Sequence, residues 1–452
     1  MIKELHLHQI GPVPDLEAEF GPRLNLVTGD NGLGKTFLLD ACWYALTRTW
    51  ADNKQFYPSS DVPKNDPPSI KYTVIGKAGK PSAIEANYRF LDQKWKGPQA
   101  RPSMPGLVIY ARIDGGFSVW DPARNYWRED ESEEGRERPK AYQFTKDQVW
   151  DGLEDAEGKE KRIICNGLLR DVEGWRAKGN GAFGLLEGVL EQLSEGENEI
   201  LSIGAGVRVR LNDVRDIPTL RMPYGPVPVT QAAAGMRRVL ALAYLLVWAW
   251  EEHTRAAKLQ KDEPTNRIVL LFDEMEAHLH PKWQRVFLPS LMKVVDGLLV
   301  KGQIEATTND PRKSLDQKAS SALKKIPRSV QIIATTHAPL ILASVETYFD
   351  DVSDKVFLFE LQGSSVKFKS IDWSIRGDVS AWLRSPLFSL DQARSTEAEE
   401  ALEVAEKWMR RDRQKLPPHL DSEAKIHHRL LEVLPEFDPF WPRWIVKREG
   451  HQ

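Results

Sequence analysis

The sequence predicts an α/β fold, and three observations carry that reading. The apolar run at residues 24–27 passes directly into a glycine-rich loop, GDNGLGKT at residues 29–36, and then into a helical pattern from about residue 35 to 49. A second apolar run, residues 268–271, continues through Phe272 into two adjacent acids, Asp273 and Glu274. A third run that reads as buried, residues 331–335, ends just before His337 and Ala338-Pro339. Short apolar runs bounded by polar or glycine-rich residues read as buried strands.

The first of these units has a specific chemistry. GDNGLGKT fits the G-x-x-x-x-G-K-[ST] pattern, the phosphate-binding loop of P-loop NTPases. Glycines let the backbone curl so that N–H groups along Gly29, Asp30, Asn31, Gly32, Leu33 and Gly34 converge on phosphate oxygens. The following helix adds the partial positive charge of its N-terminus. Lys35 is placed to reach the β- and γ-phosphates, and Thr36 to offer its hydroxyl to Mg²⁺. The expected ligands are therefore ATP and Mg²⁺.

The acid pair complements the loop. At the end of a buried strand, Asp273 is the candidate second ligand of Mg²⁺, and Glu274 the candidate general base for an attacking water. A capping pair at a strand–helix junction is the plainer reading of the same residues. His337 has two readings as well: a contact to the γ-phosphate or the attacking water, or a structural turn histidine. QAAAGMRR, residues 231–238, opens a long apolar helix and is either a second phosphate-receiving helix start or an ordinary small-residue one. His278 and His280, in EAHLHP, make a conceivable metal pair, but nothing nearby completes it.

Bulk properties are compatible with this picture. The 452 residues are 41% hydrophobic and 28% charged, with a formal charge of −3, so no global basic field announces nucleic acid. The two cysteines, Cys42 and Cys165, are too few for a four-cysteine zinc site and sit in apolar surroundings, as core thiols do. The opening residues have no signal-peptide pattern. The longest apolar run, residues 239–250, falls short of the roughly 20 residues that span a bilayer. A cytoplasmic location without membrane contact is the expectation.

The remaining elements follow in order. Residues 2–8 alternate apolar and polar and read as a half-buried strand. Residues 51–69 are a loop rich in Pro, Asp and Lys. Strands are expected at 70–75, 83–91, 107–113 and 117–120, in antiparallel pairs. Residues 130–140 read as a solvated charged loop. Ala182, Leu185, Leu186, Val189, Leu190 and Leu193 fall at helical spacing. Val207, Val209 and Leu211 alternate with arginines as in a strand. A helix is expected from 236 to about 253, a polar linker at 258–266, and a lysine-rich loop or arm at 301–328. Thr396 and Glu399 have capping-box spacing for a helix to about 411. The last 35 or so residues give little periodic signal, and the chain shows neither heptads nor an internal repeat.

Taken together, loop, helix start, acid pair and histidine occur in an order that resembles the ABC-type ATPases of the SMC, RecF and OLD-like group, in a compact form without coiled coil. In that resemblance GDNGLGKT is the Walker A loop, IVLLFDE the Walker B strand, EAHLHP the D-loop and ATTHAPL the switch-histidine segment. QAAAGMRR takes the place of the signature motif. The implied fold is a P-loop NTPase head with an antiparallel β subdomain and a helical lobe. Its implied segments are 1–50 (core with Walker A), 51–160 (β-rich insertion and charged loop), 161–255 (helical lobe with the signature helix), 256–372 (core with Walker B and the switch histidine) and 373–452 (helical extension).

The same resemblance implies a homodimer or higher homo-oligomer in which each ATP is sandwiched between copies. Gly235 would then face the partner's γ-phosphate. This chain departs from the family in having Ala233 and Ala234 where a serine is usual near the glycine. That removes a hydrogen bond worth about 1 kcal/mol and leaves Arg237 to compensate. Gln143 and Gln148 are both candidates for the Q-loop glutamine. More finely, the chain is similar to the ATPase subunits of bacterial anti-phage systems of the Septu kind.

No Toprim-like acidic cluster or HNH pattern follows the histidine, and His427-His428 lacks supporting residues. Any nuclease is thus expected as a separate effector subunit. Two other functions remain open: a RecF-like repair ATPase clamping double-stranded DNA, with Arg410, Arg411, Arg413, Lys415 and Arg429 as basic candidates, and an ATP-sensing scaffold without turnover.

Overall fold

A computed structural model describes residues 1–58, 62–63, 65–77, 79–98, 103–126, 140–157, 160–179, 181–194, 196, 200–308, 329–388, 390, 394–412 and 416–449. The charged stretch 130–139, most of the lysine-rich segment (309–328), Arg413 and Lys415 lie outside the described residues. The chain forms two compact units, Met1–Ile375 and Arg376–Gln452.

The first unit is organised by an eight-stranded sheet. In spatial order its strands are Ser365–Ile371, Asp354–Gln362, Leu24–Gly29, Ser329–Thr335, Arg267–Phe272, Leu107–Ala111, Phe117–Trp120 and Tyr142–Phe144. The inner strands from Asp354–Gln362 to Leu107–Ala111 run parallel, and the flanking pairs are antiparallel. Leu24–Gly29 is buried along its whole length, as a strand covered on both faces must be. The fold is thus the α/β P-loop class that the sequence predicts.

A second, five-stranded sheet is antiparallel throughout: Asp15–Glu19, Ile2–His8, Ser69–Ile75, Pro81–Arg89 and Lys94–Lys96. The helix Lys35–Thr47 packs between the two sheets. Leu38, Leu39, Cys42 and Trp43 share one core with Val27, Leu271 and Ile333 of the large sheet and with Leu5, Leu7, Ile70 and Tyr72 of the small one. A helix apolar on every side is stable only when enclosed in this way, and each large side chain so buried stabilises the fold by about 1.5–3 kcal/mol.

The antiparallel pairs expected of 70–75 with 83–91 and of 107–113 with 117–120 both form, as Ser69–Ile75 with Pro81–Arg89 and Leu107–Ala111 with Phe117–Trp120, but the second pair lies in the large sheet. Leu107–Ala111 is fully buried and pairs in parallel with Arg267–Phe272. Its run LVIYA lacks the alternation of a half-wet strand, and a continuous apolar run is what a strand covered on both faces requires.

Helices Leu168–Lys178 and Gly181–Gln192 come next, the second at the expected spacing. A three-stranded antiparallel sheet follows them: Ile203–Arg208, Asp216–Met222 and Gly225–Pro228. The strand expected at 207–211 therefore starts earlier and ends at Arg208; Leu211 is fully exposed. The helix expected at 236–253 runs longer, Ala234–Leu259, because its apolar centre is buried on all sides. Within it Tyr244 donates to Asp171 at 2.8 Å and lies 3.0 Å from the Cys165 sulfur. Both cysteines are buried, free thiols, and burial pushes Cys165 up to about 12.

In the second unit, helices Thr396–Met409, Glu423–Val433 and Trp441–Glu449 close around Leu402, Ile426, Leu430, Phe440 and Trp444. The N-cap of the first is Ser395, which accepts from the Ala398 amide, rather than Thr396. Ser395 has the extended backbone a cap needs, whereas Thr396 is already helical. No described helix is long and apolar enough to cross a membrane.

Candidate functional site

The parallel strands place the ends of Leu24–Gly29, Arg267–Phe272 and Ser329–Thr335 side by side, since these strands are in register. The residues following them therefore meet at the carboxyl edge of the sheet, where open α/β folds bind ligands. The phosphate loop leaves the sheet at Gly29, whose φ of +131° suits glycine, and a Cβ there would come within 2.2 Å of the Phe359 carbonyl oxygen. Asp30, Asn31 and Gly32 form the exposed rim of the loop, while Leu33 anchors it in the core. Lys35 is buried, and its ammonium donates to the carbonyls of Gly29 (2.8 Å) and Asp30 (2.7 Å). Burial lowers its pKa, with Glu274 and Asp273 opposing the shift.

Asp273 is the hub of the site. Thr36 donates its hydroxyl to Oδ2 at 2.8 Å, and Thr335 donates to Oδ1 at 2.8 Å. The Asp273 amide donates to the Ala111 carbonyl at 2.9 Å, which ties a fourth strand to the site. Burial raises the Asp273 pKa; the two threonine hydroxyls oppose this, and Glu274 adds to it.

Glu274 has a left-handed backbone (φ 44°), and its amide donates to Thr335 Oγ1 at 2.8 Å. Its carboxylate Oε1 lies 3.3 Å from His337 Nε2. This is ion-pair distance without hydrogen-bond alignment, so the buried Nε2 is left short of a partner. The His337 amide donates to Glu276, which holds the histidine turn against the acid-pair loop.

The structure thus brings together Lys35, Thr36, Asp273, Glu274 and His337. It places the signature-like segment against the next stretch of chain. Gly235 is buried, and a Cβ there would approach the His278 carbonyl oxygen to 2.5 Å. Ala233 and Ala234 at the helix start are exposed. Arg237 borders a cavity with Lys146, Trp150 and Ile113, and its Nε has no hydrogen-bond partner.

The sequence reading passed over three residues. Arg238 donates to the carbonyls of Asp273 and Glu274, both at 3.1 Å, and so clamps the acid pair to the long helix. Burial lowers its pKa. Glu276 carries the His337 backbone. Asp40, on the helix after the phosphate loop, is pushed up to about 7, first by burial and further by Asp273, against a hydrogen bond from Tyr110 and the charges of Arg112 and Lys54. The only sequence signal for these residues was their closeness to motifs already chosen.

Some of the other candidates have their side chains engaged elsewhere. Gln148 forms a capping box with Thr145. Gln143 accepts from the Asp52 amide at 2.8 Å and from Ser118. His278 and His280 are exposed and join no group of three potential metal ligands among the described residues. Arg410 and Arg429 pair with Glu406 and Glu432 on their own helices, and Arg411 is exposed.

The residues fit Mg²⁺ and a nucleoside triphosphate. A threonine hydroxyl and a carboxylate already 2.8 Å apart are the hard oxygen donors Mg²⁺ prefers. A buried lysine at the root of a glycine loop, opposite that pair, supplies positive charge for phosphate.

The family described as "AAA domain, putative AbiEii toxin, Type IV TA system" matches residues 107–343, more than half of the chain. A second family, described as an AAA domain, matches residues 4–164. The Septu protein PtuA of Bacillus thuringiensis is 22% identical over 324 residues, covering 69% of this chain and 72% of that protein. Among solved structures, the SMC head domain from Thermotoga maritima aligns with a TM-score of 0.36 at 11% identity, over 82% of this chain and 99% of that one. The recombination mediator RecF aligns with a TM-score of 0.37 at 11% identity, over 81% and 98%.

Proposed function

Since the chain belongs to this AAA-domain family, we propose that it binds ATP with Mg²⁺, hydrolyses it between two copies of itself, and uses the resulting closure to control a separate effector. By likeness to the Septu protein PtuA, that effector is a nuclease and the setting is defence against phage. The observation that carries the reading is the double anchoring of Asp273 by Thr36 and Thr335, with Glu274 and His337 held beside it.

Bound Mg²⁺ would neutralise charge on the β- and γ-phosphates, with Thr36 and Asp273 holding it. Lys35 leaves its carbonyl partners to take phosphate charge. Glu274 accepts a proton from the attacking water, and His337 Nε2 orients that water or the γ-phosphate. The exposed start of the Ala234–Leu259 helix offers N–H groups without intrahelical partners to the nucleotide held by the other copy. Gly235 allows the close packing that seats this helix on the loop after the acids, and Arg237 supplies a donor in place of the hydroxyl that the alanines lack.

Glu274→Gln tests the assignment. It is expected to retain ATP, to lower turnover at least 100-fold and to accumulate an ATP-dependent dimer in light scattering. Turnover at the unmodified rate would remove Glu274 from the chemistry, and an unchanged monomer with ATP bound would remove the sandwich.

A further inference from the structure

The exposed face of the five-stranded sheet carries a cluster that the nucleotide reading does not use. Leu5 and Leu7 of the strand Ile2–His8 point into the core beside the buried helix. By the period of a strand, His6 and His8 point to the opposite face. Register sets Glu17 and Asp15 of the neighbouring strand directly across from them. His6 Nε2 lies 2.6 Å from Asp15 Oδ1, and His8 Nδ1 lies 3.1 Å from the same oxygen. The three ligand atoms all fall within 4.8 Å of one another. Glu17 Oε1 stands 4.0 Å from His6 Nε2.

We propose that His6, His8 and Asp15, with Glu17 as fourth ligand, form a binding site for a divalent transition ion, with Zn²⁺ the best match. Two imidazoles and carboxylates are the donor set of Zn²⁺ rather than of Mg²⁺ or Ca²⁺, which take oxygen. Tetrahedral Zn²⁺ sets its ligand atoms about 3.3 Å apart. The contacts around Asp15 Oδ1 therefore need to open by only a fraction of an ångström. The ion would replace the protons that the imidazoles now share with that carboxylate.

A second observation supports the site. The other nitrogen of His8, Nε2, lies 2.8 Å from Asp66 Oδ1, and Gln9 donates to the same carboxylate at Oδ2. A carboxylate behind a ligating histidine fixes the ring and its tautomer and raises its basicity. Lys71, the cross-strand neighbour of His6 on the other side, has its ammonium 3.6 Å from Glu85. Bound metal would staple the first two strands and, through Asp66, the loop before the next one.

The experiment is Zn²⁺ titration of the full chain, stripped by chelator and held in excess Mg²⁺, against a chromophoric competitor. The unmodified protein is expected to bind one Zn²⁺ at micromolar concentration or tighter that the double variant His6→Gln/His8→Gln does not bind. Asp66→Asn is expected to weaken it about tenfold or more. Equal stoichiometry and affinity in the double variant would overturn the proposal. Should that variant not fold, Asp15→Asn and Co²⁺ decide. Intense visible bands of tetrahedral Co²⁺ in the unmodified chain, lost in Asp15→Asn, support the site. Their absence from the unmodified chain, or persistence in Asp15→Asn, refutes it.

Discussion

Thr36 and Asp273, 237 positions apart in the chain, meet in a 2.8 Å hydrogen bond. One residue lies in the first turn of the helix after the phosphate loop and the other follows the end of a strand two places along the sheet. The bond links the halves of the site before any ligand arrives. It also satisfies one oxygen of a carboxylate that is almost wholly buried.

Thr36→Val is expected to lower unliganded stability by about 1–3 kcal/mol, because it leaves Asp273 Oδ2 buried without its donor. It should also weaken ATP binding in Mg²⁺ more than in EDTA. Thermal melts with and without each ligand measure both effects.

His337→Ala removes the side chain but leaves the backbone donation to Glu276 intact. ATP affinity should hold while kcat falls about 100-fold or more. Fluorescent-nucleotide binding beside steady-state turnover separates the two.

Gly235→Ala brings a Cβ to 2.5 Å from the His278 carbonyl oxygen. Overpacking of this kind costs about 1–3 kcal/mol, and denaturant unfolding without nucleotide should register it.

Ala233→Ser acts in the opposite direction. Ala233 is the N-cap of the long helix, with non-helical backbone (φ −56°, ψ 149°) and no side-chain cap. A serine there should stabilise by about 1 kcal/mol. If the missing hydroxyl limits turnover, kcat rises as well, and an ATPase assay on the folded variant reads it.

Asp40 makes stability depend on pH. Its carboxyl titrates near 7 in the folded protein against an ordinary 3.8, so the folded state favours the protonated form. The associated stability is fully present below about pH 4 and is lost as pH rises through 7, a change on the order of 2–4 kcal/mol. Asp273, also raised by burial, acts in the same sense. Asp40→Asn should shrink the fall in melting temperature between pH 5 and pH 8.

Much of the site was legible because its chemistry is local. A glycine loop before Lys35 and Thr36, an apolar strand ending in Asp273 and Glu274, and a strand ending near His337 each declare themselves within a few residues. Arg238 was not legible. Its role is to bond carbonyls, and any carbonyl looks alike in sequence. The resemblance implied a helical extension over 373–452, but no local signal placed its helices Glu423–Val433 and Trp441–Glu449. They are short, and they are held by a shared cluster of Trp, Phe and Leu rather than by a long periodic face.

The sequence by itself determined the α/β class, the phosphate loop and the order of the nucleotide motifs, since each rests on backbone conformation and side-chain type over short spans. Tertiary structure alone decided that Leu107–Ala111 joins the central sheet, that Gly235 packs on His278, and that His6, His8, Asp15 and Asp66 converge. The physical reason is pairing: which strand lies beside which, and in what register, is set by burial summed over the whole core, and no short window of residues contains that sum.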